Sequence, residues 1–362
     1  MAVAKNKKGI MQTMNPLSQF TKARFTMVDS RFQANIPTVT FKDVAGLKEA
    51  KVEIMEFVQY LRDPSKFVKL GAKVPKGALL LGPPGCGKTL LAKALAAEAG
   101  VPFFSMAGTE FIEVIGGVGA ARVRDLFAEA RKSSPSIVFI DEIDAVGQKR
   151  SSAGDGDSNS EMDQTLNQLL SEMDGLETKG NVIVLASTNR PDTLDKALTR
   201  PGRLDRKIEI DLPTFEERIE IINVYLKKLA ISKEIDTKFV SELSHLTARM
   251  SGADLANVCN EAALHAAREL KTEIQKIDFE TALEKIQSGS EKKSSSIVKE
   301  EQKLIAYYEC GRVLMSWLLE YGDLLYKVSV IPRTKTLALS HYLPSDKTLI
   351  TKEEVEIFLF HS

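Results

Sequence analysis

The chain has 362 residues, which is enough for two or three domains that each bury a core. Its 49 basic and 49 acidic residues cancel, so the overall charge does not indicate a nucleic-acid or membrane-surface partner, and partners must be inferred from individual sites. The three cysteines, Cys86, Cys259 and Cys310, lie far apart in no C-x-x-C pair, which excludes a zinc ribbon and a disulfide framework and favours a reducing compartment.

Residues 1–37 are predicted to form a basic, flexible arm. The first 36 residues contain six lysines or arginines and one acidic residue, Asp29. A mitochondrial presequence is the alternative to a plain linker, because such leaders are also basic and poor in acids. No apolar run approaches the roughly 18 to 20 residues that span a bilayer, and the N-terminus lacks the apolar core of a secretory signal. We therefore expect a soluble chain without a membrane span.

Residues 38–213 are predicted to form an α/β domain. Its short apolar strands are expected at 78–81, 101–106, 137–142, 182–186 and 207–210. Its helices are expected at 47–61, from 90 onward, at 122–131 and at 164–173. The polar segment 151–160 is predicted to be a mobile loop. Short apolar strands that alternate with helices indicate a parallel sheet covered by helices on both faces.

After residue 213 the pattern changes to helices alone, which predicts a small all-helical lid over residues 214–287. Residues 288–296 are rich in serine and are predicted to be a linker. The last segment, 297–362, is predicted to contain a long helix at 300–321 and a strand at 326–331.

A glycine-rich segment, residues 82–89, connects the first strand of the α/β domain to the next helix. Its sequence, Gly-Pro-Pro-Gly-Cys-Gly-Lys-Thr, fits the phosphate-loop pattern G-x-x-x-x-G-K-[ST] in the context that this pattern requires. Glycines let consecutive backbone N–H groups face phosphate oxygens, and the helix N-terminus adds partial positive charge. Lys88 is predicted to reach the β- and γ-phosphates and Thr89 to bind Mg²⁺. A purely structural glycine turn is the alternative.

Polar residues at the ends of two later strands complete the chemistry that phosphoryl transfer needs. Asp141 is predicted to hold Mg²⁺ through water and Glu142 to polarise the attacking water, with helix capping as the alternative. Asn189 ends the next strand, where its amide is expected to sense the γ-phosphate and to fix the water.

Arg200 and Arg203 flank a Pro-Gly turn and are predicted to be exposed fingers. An arginine offered to a neighbouring nucleotide is worth about 10³ to 10⁵ in rate in GTPases, so such residues imply a ring in which each site is completed by the next subunit. Surface salt bridges are the alternative.

These motifs resemble those of the AAA+ ATPases, and more narrowly the FtsH-type, membrane-anchored, ATP-dependent zinc metalloproteases of bacteria and mitochondria. The paraplegin type of the mitochondrial m-AAA protease is the subgroup that looks most similar. Further typical stretches are Asp-Val-Ala-Gly at 43–46, Gly-Ala-Lys-Val-Pro-Lys-Gly at 71–77, Ala-Ala-Arg-Val-Arg-Asp-Leu-Phe at 120–127 and Ser-Gly-Ala-Asp-Leu-Ala-Asn at 251–257. The resemblance covers residues 15–356.

The resemblance implies an ATP site with Mg²⁺, in which Asp141 and Glu142 serve the metal and the water, Asn189 senses the nucleotide, and Arg200 and Arg203 act across the subunit interface. The nucleotide-binding positions it implies are Val44, Ala45, Gly82, Pro83, Pro84, Gly85, Cys86, Gly87, Lys88, Thr89, Leu90, Gly252 and Ala253.

Two positions of the ATPase domain depart from the family pattern. Cys86 replaces the usual Thr, but the loop acts there through its backbone, so ATP binding is expected to survive. The substrate-threading pore loop aligns with residues 113–119, and Ile115, before Gly116 and Gly117, stands where the family has an aromatic residue. An aliphatic side chain offers less contact area than a ring. The paraplegin type resembles this sequence at the same loop, and this resemblance implies a subunit that works beside an aromatic-bearing partner in a mixed ring.

The peptidase motif departs further. The family binds zinc with H-E-x-x-H on a helix, and the aligned residues here are Tyr308, Glu309, Cys310, Gly311 and Arg312. Neither histidine ligand is present, and an arginine would repel the metal. Segment 297–362 is therefore expected to be a truncated, degenerate metallopeptidase segment without a zinc site. The family's membrane anchors are also expected to be missing from this chain.

The sequence thus predicts an ATP-hydrolysing unfoldase subunit of a homo- or hetero-hexameric ring of related AAA+ protease subunits. Its substrates are expected to be unfolded or membrane proteins, with no nucleic acid involved, and the resemblance implies the matrix side of the mitochondrial inner membrane. One alternative is a complete ATP-dependent metalloendopeptidase represented by an incomplete chain. The other is a nucleotide-bound scaffold that does not hydrolyse ATP.

Overall fold

The computed structural model describes residues 26–28, 39–63, 65–71, 76–112, 117–148, 158–177, 181–291, 298–319, 324–333, 336–343 and 351–352. The chain divides into two compact units. The first contains residues 1–40, 50–82 and 88–209, and the second contains residues 41–49, 83–87 and 210–362.

The first unit is an α/β layer structure around a six-stranded sheet. The strands are β1 (Thr26–Val28), β2 (Gly77–Leu81), β3 (Phe103–Ala107), β4 (Ser136–Asp141), β5 (Val182–Thr188) and β6 (Arg206–Glu209). Their order across the sheet is β1-β3-β4-β5-β2-β6. β1 pairs antiparallel with β3, and the other neighbours are parallel. The predicted parallel sheet is confirmed.

In the described part of the chain, five α-helices belong wholly or mainly to this unit. They are α1 (Lys48–Arg62), α2 (Ser65–Lys69), α3 (Lys88–Ala99), α4 (Val118–Lys132) and α5 (Ser158–Asp174). The central strands β4 and β5 are almost wholly buried, as expected for strands covered on both faces. Leu, Ile, Val and Phe side chains from the sheet and from α4 and α5 form one continuous apolar core. This core holds β4 and β5 in place, and the polar residues Asp141 and Asn189 stand at and just after the carboxyl ends of these two strands.

The boundaries of several elements differ from the sequence prediction. α5 begins at Ser158, inside the predicted loop 151–160, and thus earlier than residue 164, from which the helix was predicted. Residues 151–157 of that loop lie outside the described part of the chain. The arm 1–37 contains β1, a three-residue strand that was not predicted and whose backbone pairs with β3.

The first helices of the second unit that the structure describes are α6 (Phe215–Leu226), α7 (Thr237–Leu246), α8 (Gly252–Arg268) and α9 (Lys276–Ser288). Capping boxes begin α6 at Thr214 and α8 at Ser251. Apolar side chains from all four helices meet in a second core. The predicted helical lid is therefore present.

The segment after the lid consists of a long helix and a hairpin in the described residues. Helix α10 spans Lys299–Leu318, and strands β7 (Leu325–Ser329) and β8 (Leu339–Tyr342) pair antiparallel. Tyr326 and Leu343 pack against the lid core, and Glu284 of α9 pairs with Lys327 and Arg333. The second strand was not predicted. No helix in the described residues is long and apolar enough to cross a membrane.

Candidate active site

The phosphate loop leaves the buried strand β2 and enters α3 at Lys88. Gly82 and Lys88 belong to the first unit, and Pro83–Gly87 belong to the second. Gly85 has φ +78° and Gly87 has φ +92°, conformations that side chains other than glycine rarely adopt. Gly87 is a glycine that the motif requires, whereas Gly85 lies at a position that the pattern leaves open. Leu90 follows on the first turn of α3 and is partly exposed.

In the first unit, the start of α3 is linked by hydrogen bonds to the ends of β4 and β5. The buried Lys88 Nζ donates to the Gly82 carbonyl at 2.9 Å and to Asn189 Oδ1 at 2.7 Å. The Thr89 hydroxyl donates to Asp141 Oδ2 at 2.5 Å. Four residues that sequence reasoning selected, from three separate motifs, thus converge at the carboxyl edge of the parallel sheet. Ligands bind at this edge in open α/β sheets.

Asp141 is also held by Ser187, a residue that sequence reasoning did not assign. Ser187 Oγ donates to Asp141 Oδ1, and the Glu142 backbone N–H lies 3.2 Å from both of these oxygens. The buried hydroxyl fixes the carboxylate orientation, so the other oxygen faces Thr89. A carboxylate and a hydroxyl oxygen are the kinds of ligand that Mg²⁺ takes, and the pair fits the metal that the family implies.

Glu142 adopts φ +53°, in the left-handed region, although it is not glycine. Such a conformation costs of order 1 to 3 kcal/mol and is concentrated at functional sites. The Glu142 carbonyl approaches Gly108 so closely that a Cβ there would lie 2.3 Å from it. Gly108 was not predicted to matter, and only a close-approach argument from the structure identifies it. The bend leaves the Glu142 residue exposed at the strand end.

The two candidate finger arginines differ in their surroundings. Arg200 is exposed. Arg203 forms a two-pronged pair with Asp174 of α5, with both N–O distances 2.8 Å, and donates to the Ala197 carbonyl at 2.6 Å. The hydrogen bond from Arg203 lowers the pKa of Asp174, and the same bond raises the pKa of Arg203. Arg203 is therefore held within its own chain, and Arg200 is the more accessible of the two.

In the second unit, the phosphate loop contacts the start of α8. The Ala253 backbone N–H donates to the Gly85 carbonyl at 3.1 Å. A Cβ at Gly85 would lie 2.7 Å from Ser251 Oγ and 2.9 Å from Ala253 Cβ, so only glycine fits there. Gly252 also lies close to the Gly85 carbonyl. These contacts bring together the loop and the lid positions that the resemblance implies.

The segment that contains Val44 and Ala45 is tied to α6 in the same unit. The Gly46 N–H donates to Glu220 at 2.9 Å, and the Leu47 N–H donates to Glu217 at 2.6 Å. Val44 is buried. The sequence analysis did not identify these two glutamates. Their carboxylates bind backbone N–H groups that lie about 170 residues earlier in the chain, and no local sequence motif indicates such a contact.

The pore-loop residues Ile115 and Gly116 lie outside the described part of the chain. Gly117 is described, with φ +81°, and its N–H donates to Glu161 of α5 at 2.9 Å.

The aligned zinc motif lies on α10. Glu309 is buried, accepts a hydrogen bond from Ser340 Oγ, and has Arg312 Nη1 3.5 Å from its carboxylate. The Arg312 guanidinium also stacks over the Tyr308 ring, 6.0 Å from its centroid. No group of three or more His, Cys, Asp or Glu side chains that could hold a metal occurs in the described residues. The cation at Glu309 is an arginine, so these residues do not fit the zinc that the motif binds elsewhere.

Comparison with known proteins identifies three family models along the chain. The ATPase family associated with various cellular activities (AAA) matches residues 78–212, the AAA+ lid domain matches 239–281, and peptidase family M41 matches 295–359.

Among similar curated proteins, the ATP-dependent zinc metalloprotease FtsH of Parabacteroides distasonis is 54% identical over 318 residues, 88% of this chain and 46% of that protein. The mitochondrial inner membrane m-AAA protease component AFG3L2 of Mus musculus is 55% identical over 318 residues, 88% of this chain and 40% of that protein. The mitochondrial ATP-dependent zinc metalloprotease FTSH 8 of Oryza sativa subsp. japonica is 52% identical over 335 residues, 92% of this chain and 40% of that protein. The chain therefore spans less than half the length of these relatives.

Proposed function

Because this chain belongs to the FtsH-type family of AAA+ zinc metalloproteases, we propose that it is an ATP-hydrolysing unfoldase subunit whose own zinc peptidase site is lost. Two hydrogen bonds support the ATPase part of this proposal. Lys88 donates to Asn189, and Thr89 donates to Asp141. A merely structural glycine turn does not require this convergence.

Each residue has a role that follows from its position. Lys88 places its ammonium group between the loop carbonyl and the Asn189 amide, where it can bind the β- and γ-phosphates of ATP. Thr89 and Asp141 would hold Mg²⁺, which when bound neutralises charge on the phosphate oxygens. Glu142, exposed at the strand end, orients and deprotonates the attacking water, and Asn189 positions that water.

Replacement of Glu142 tests this assignment. Glu142→Gln should keep nucleotide binding and lower phosphate release by about 10² to 10⁴, because the amide cannot accept the proton. Binding is measured with a fluorescent ATP analogue and turnover by phosphate release. Glu129→Gln, which changes a partly exposed carboxylate on α4 whose described partner is Lys132, is the matched control. Equal turnover in both variants and the wild type would refute the role of Glu142.

Loss of the peptidase site is supported by the arginine beside Glu309. Removal of a proton from water by Glu309 would require a metal to lower the pKa of that water, and the two carboxylate oxygens already have protein partners, Arg312 Nη1 at 3.5 Å from one and the Ser340 hydroxyl on the other. We therefore expect less than about 0.1 zinc per chain after dialysis against micromolar zinc, measured by elemental analysis. One zinc per chain, together with chelator-sensitive cleavage of casein, would favour the alternative, a complete metalloendopeptidase represented by an incomplete chain.

The proposal also covers how the chain assembles and where in the cell it acts. The exposed Arg200 suits a role at a neighbouring nucleotide, as in a hexameric ring of this chain or of this chain with related AAA+ protease subunits. Similarity to mitochondrial relatives favours the mitochondrial inner membrane, with the paraplegin-type m-AAA protease as the setting. The candidate substrates are unfolded or membrane proteins. A scaffold that does not hydrolyse ATP is disfavoured by the complete set of catalytic residues.

A further inference from the structure

Two consecutive residues, Gly46 and Leu47, form a left-handed turn directly before helix α1. Their φ angles are +65° and +54°. Glycine adopts such angles freely, but the left-handed region is costly for a leucine and persists only where neighbouring groups hold it. We call these two residues the Gly46–Leu47 turn. Its conformation requires interactions from outside the turn.

Two carboxylates of helix α6 supply these interactions. Glu220 Oε2 accepts from the Gly46 N–H at 2.9 Å, and Glu217 Oε1 accepts from the Leu47 N–H at 2.6 Å. Hydrogen bonds to a carboxylate are shorter and roughly twice as strong as those to a neutral acceptor. A Cβ on Gly46 would lie 3.0 Å from both Cβ and Cγ of Glu217, so this side chain also packs closely against the turn.

Glu217 binds both the Gly46–Leu47 turn and the start of α6 with one carboxylate. Its Oε2 accepts from the Thr214 N–H at 3.0 Å and thereby completes the capping box that begins α6. Its Oε1 accepts from the turn. Glu220 lies three residues later, on the same face of the helix. The turn is therefore held in a fixed place relative to the first turn of α6.

The Gly46–Leu47 turn also lies against the phosphate loop. Leu47 Cδ1 is 3.9 Å from the position that a Cβ on Gly87 would take. Gly85, in the same loop, accepts a hydrogen bond from the Ala253 N–H at the start of α8. The turn, residues 83–87 of the loop and both helix starts belong to the second unit. Helix α6 thus reaches the phosphate loop through the turn.

We propose that Glu217 and Glu220 are positioning residues of the nucleotide site, which hold the Gly46–Leu47 turn against the phosphate loop. This inference rests on the proposed ATPase function, because it concerns the same site. Val44 and Ala45, which are expected to bind the nucleotide, directly precede the turn, so its backbone also orients them. The glutamates act through the turn and not by contact, because a carboxylate beside the anionic phosphates would repel them.

Glu220→Ala tests this role with the capping box left intact. The dissociation constant for a ribose-labelled fluorescent ATP analogue should rise about fivefold or more, as loss of a hydrogen bond to a charged group does elsewhere. Phosphate release at saturating ATP should stay within about twofold of wild type, because the turn supports the ground state and the transition state alike.

Glu216→Ala is the matched control for Glu220→Ala. Lys48 Nζ lies 3.9 Å from Glu216 and 3.7 Å from Glu220, so both variants lose one charge and one weak ion pair on the same helix. Of these two glutamates, Glu220 is the one that binds the Gly46 N–H. Glu216→Ala should therefore bind the ATP analogue like wild type, and equal weakening in both variants would contradict the proposal.

Glu220→Gln separates the hydrogen bond from the charge. The carboxamide oxygen can still accept from the Gly46 N–H, so the dissociation constant should lie within about twofold of wild type. If Glu220→Gln bound the analogue as weakly as Glu220→Ala, the lost charge and not the hydrogen bond would explain the effect, and the positioning role would be wrong.

Thr214→Ala shows whether the stability of α6 alone explains the result. This change removes the side-chain half of the capping box and keeps the bond between Glu217 and Leu47. The thermal midpoint should fall by a few degrees, whereas affinity for the ATP analogue should not change. Weaker binding by Thr214→Ala, to the extent seen for Glu220→Ala, would assign the glutamates to helix stability and would refute the proposal.

The same titrations separate failure of this inference from failure of the proposed function. If wild type binds and hydrolyses ATP and Glu220→Ala has wild-type affinity, the positioning role alone is overturned. If wild type binds no ATP analogue, the proposed ATPase function and this inference are overturned together. The expected result is a wild type that binds and hydrolyses ATP and a Glu220→Ala variant with weakened binding and retained maximal turnover.

Discussion

Asn189 shows how a single amide can connect two motifs. Its Oδ1 accepts from Lys88 Nζ at 2.7 Å, which leaves its NH₂ group able to hydrogen-bond a water or a phosphate oxygen. Asn189→Ala should keep ATP binding within about threefold and lower the turnover rate by about 10² to 10³, as loss of an oriented donor does elsewhere.

Phosphate release and analogue binding by the same Asn189→Ala preparation distinguish these effects. Thr193→Ala alters a nearby hydroxyl whose described bond goes to the Arg190 carbonyl, and it serves as the control. If the change in affinity for the ATP analogue fully accounted for the change in phosphate release, Asn189 would not act in the transition state alone.

At the scale of elements, the α8–α9 connection depends on one buried carboxylate. The side chain of Asp278 is fully enclosed and accepts from Lys271 Nζ at 2.6 Å, His265 Nδ1 at 2.8 Å and the Gln275 N–H at 2.8 Å. Burial alone would raise the pKa of Asp278, but these hydrogen bonds outweigh it and lower the pKa. The carboxylate therefore contributes stability above pH 4 that is lost as the pH falls further.

Asp278→Asn should destabilise the lid by about 2 kcal/mol, because the Lys271 ammonium group loses its ionic partner and His265 loses its carboxylate partner. Urea unfolding followed by far-UV circular dichroism measures the change. Glu273→Gln, which alters an exposed carboxylate in the same connection, should have no measurable effect. Equal midpoints for Asp278→Asn and wild type would mean that the buried carboxylate is not needed.

The β7–β8 hairpin should respond to mild acid through His341. Burial lowers the pKa of His341 on β8, where Glu280, Glu284, Tyr326 and Lys327 are its neighbours. The unfolded hairpin binds a proton near pH 6.5 and the folded one does so only at lower pH. Hairpin stability should therefore fall as the pH decreases from about 7 to 5.

Amide hydrogen exchange of β7 and β8 at several pH values, corrected for intrinsic rates, measures this dependence. His341→Gln should remove the acid sensitivity, whereas His245→Gln on α7 should keep it. A wild-type hairpin whose opening free energy is constant from pH 7 to 5 would contradict the effect of burial.

Most elements were predictable where the apolar pattern is strong. β2, β4 and β5 are continuous apolar runs, and the α8 start has its capping Ser251 and Asp254 in sequence. β1 was missed because three residues are too few to show a strand pattern, and its pairing with β3 joins segments that lie far apart in the sequence.

The residues of the candidate active site also fall into a group that the sequence predicted and a group that only the structure identified. Lys88, Thr89, Asp141 and Asn189 belong to motifs with fixed spacing, so their convergence was foreseeable. Ser187, Gly108 and the Asp174 partner of Arg203 depend on contacts between distant segments, which local sequence does not encode.

For the whole molecule, subunit exchange tests whether neighbouring chains complete each other's sites. Arg200→Ala should retain ATP binding but lose about 10³ or more in turnover under assembling conditions. Mixing it with Glu142→Gln should restore part of the activity, because a Glu142→Gln subunit supplies Arg200 to a neighbour that keeps Glu142.

Phosphate release from the mixture, compared with each variant alone, reports this rescue. The control is a mixture of Glu142→Gln with Arg190→Ala, a variant that changes a different arginine just after β5. This mixture reports effects of mixing that do not depend on Arg200. No rescue at any ratio, in mixtures shown to coassemble, would argue against an arginine that acts in trans.

One measurement tests most directly whether the ATPase is kept and the peptidase is lost. Phosphate release and casein cleavage are assayed in parallel on one preparation of the full chain, with Mg²⁺, ATP and zinc. We predict phosphate release that Glu142→Gln abolishes, together with no casein cleavage above a chelator-treated blank. Chelator-sensitive cleavage of casein, or phosphate release no faster than that of Glu142→Gln, would contradict this division of function.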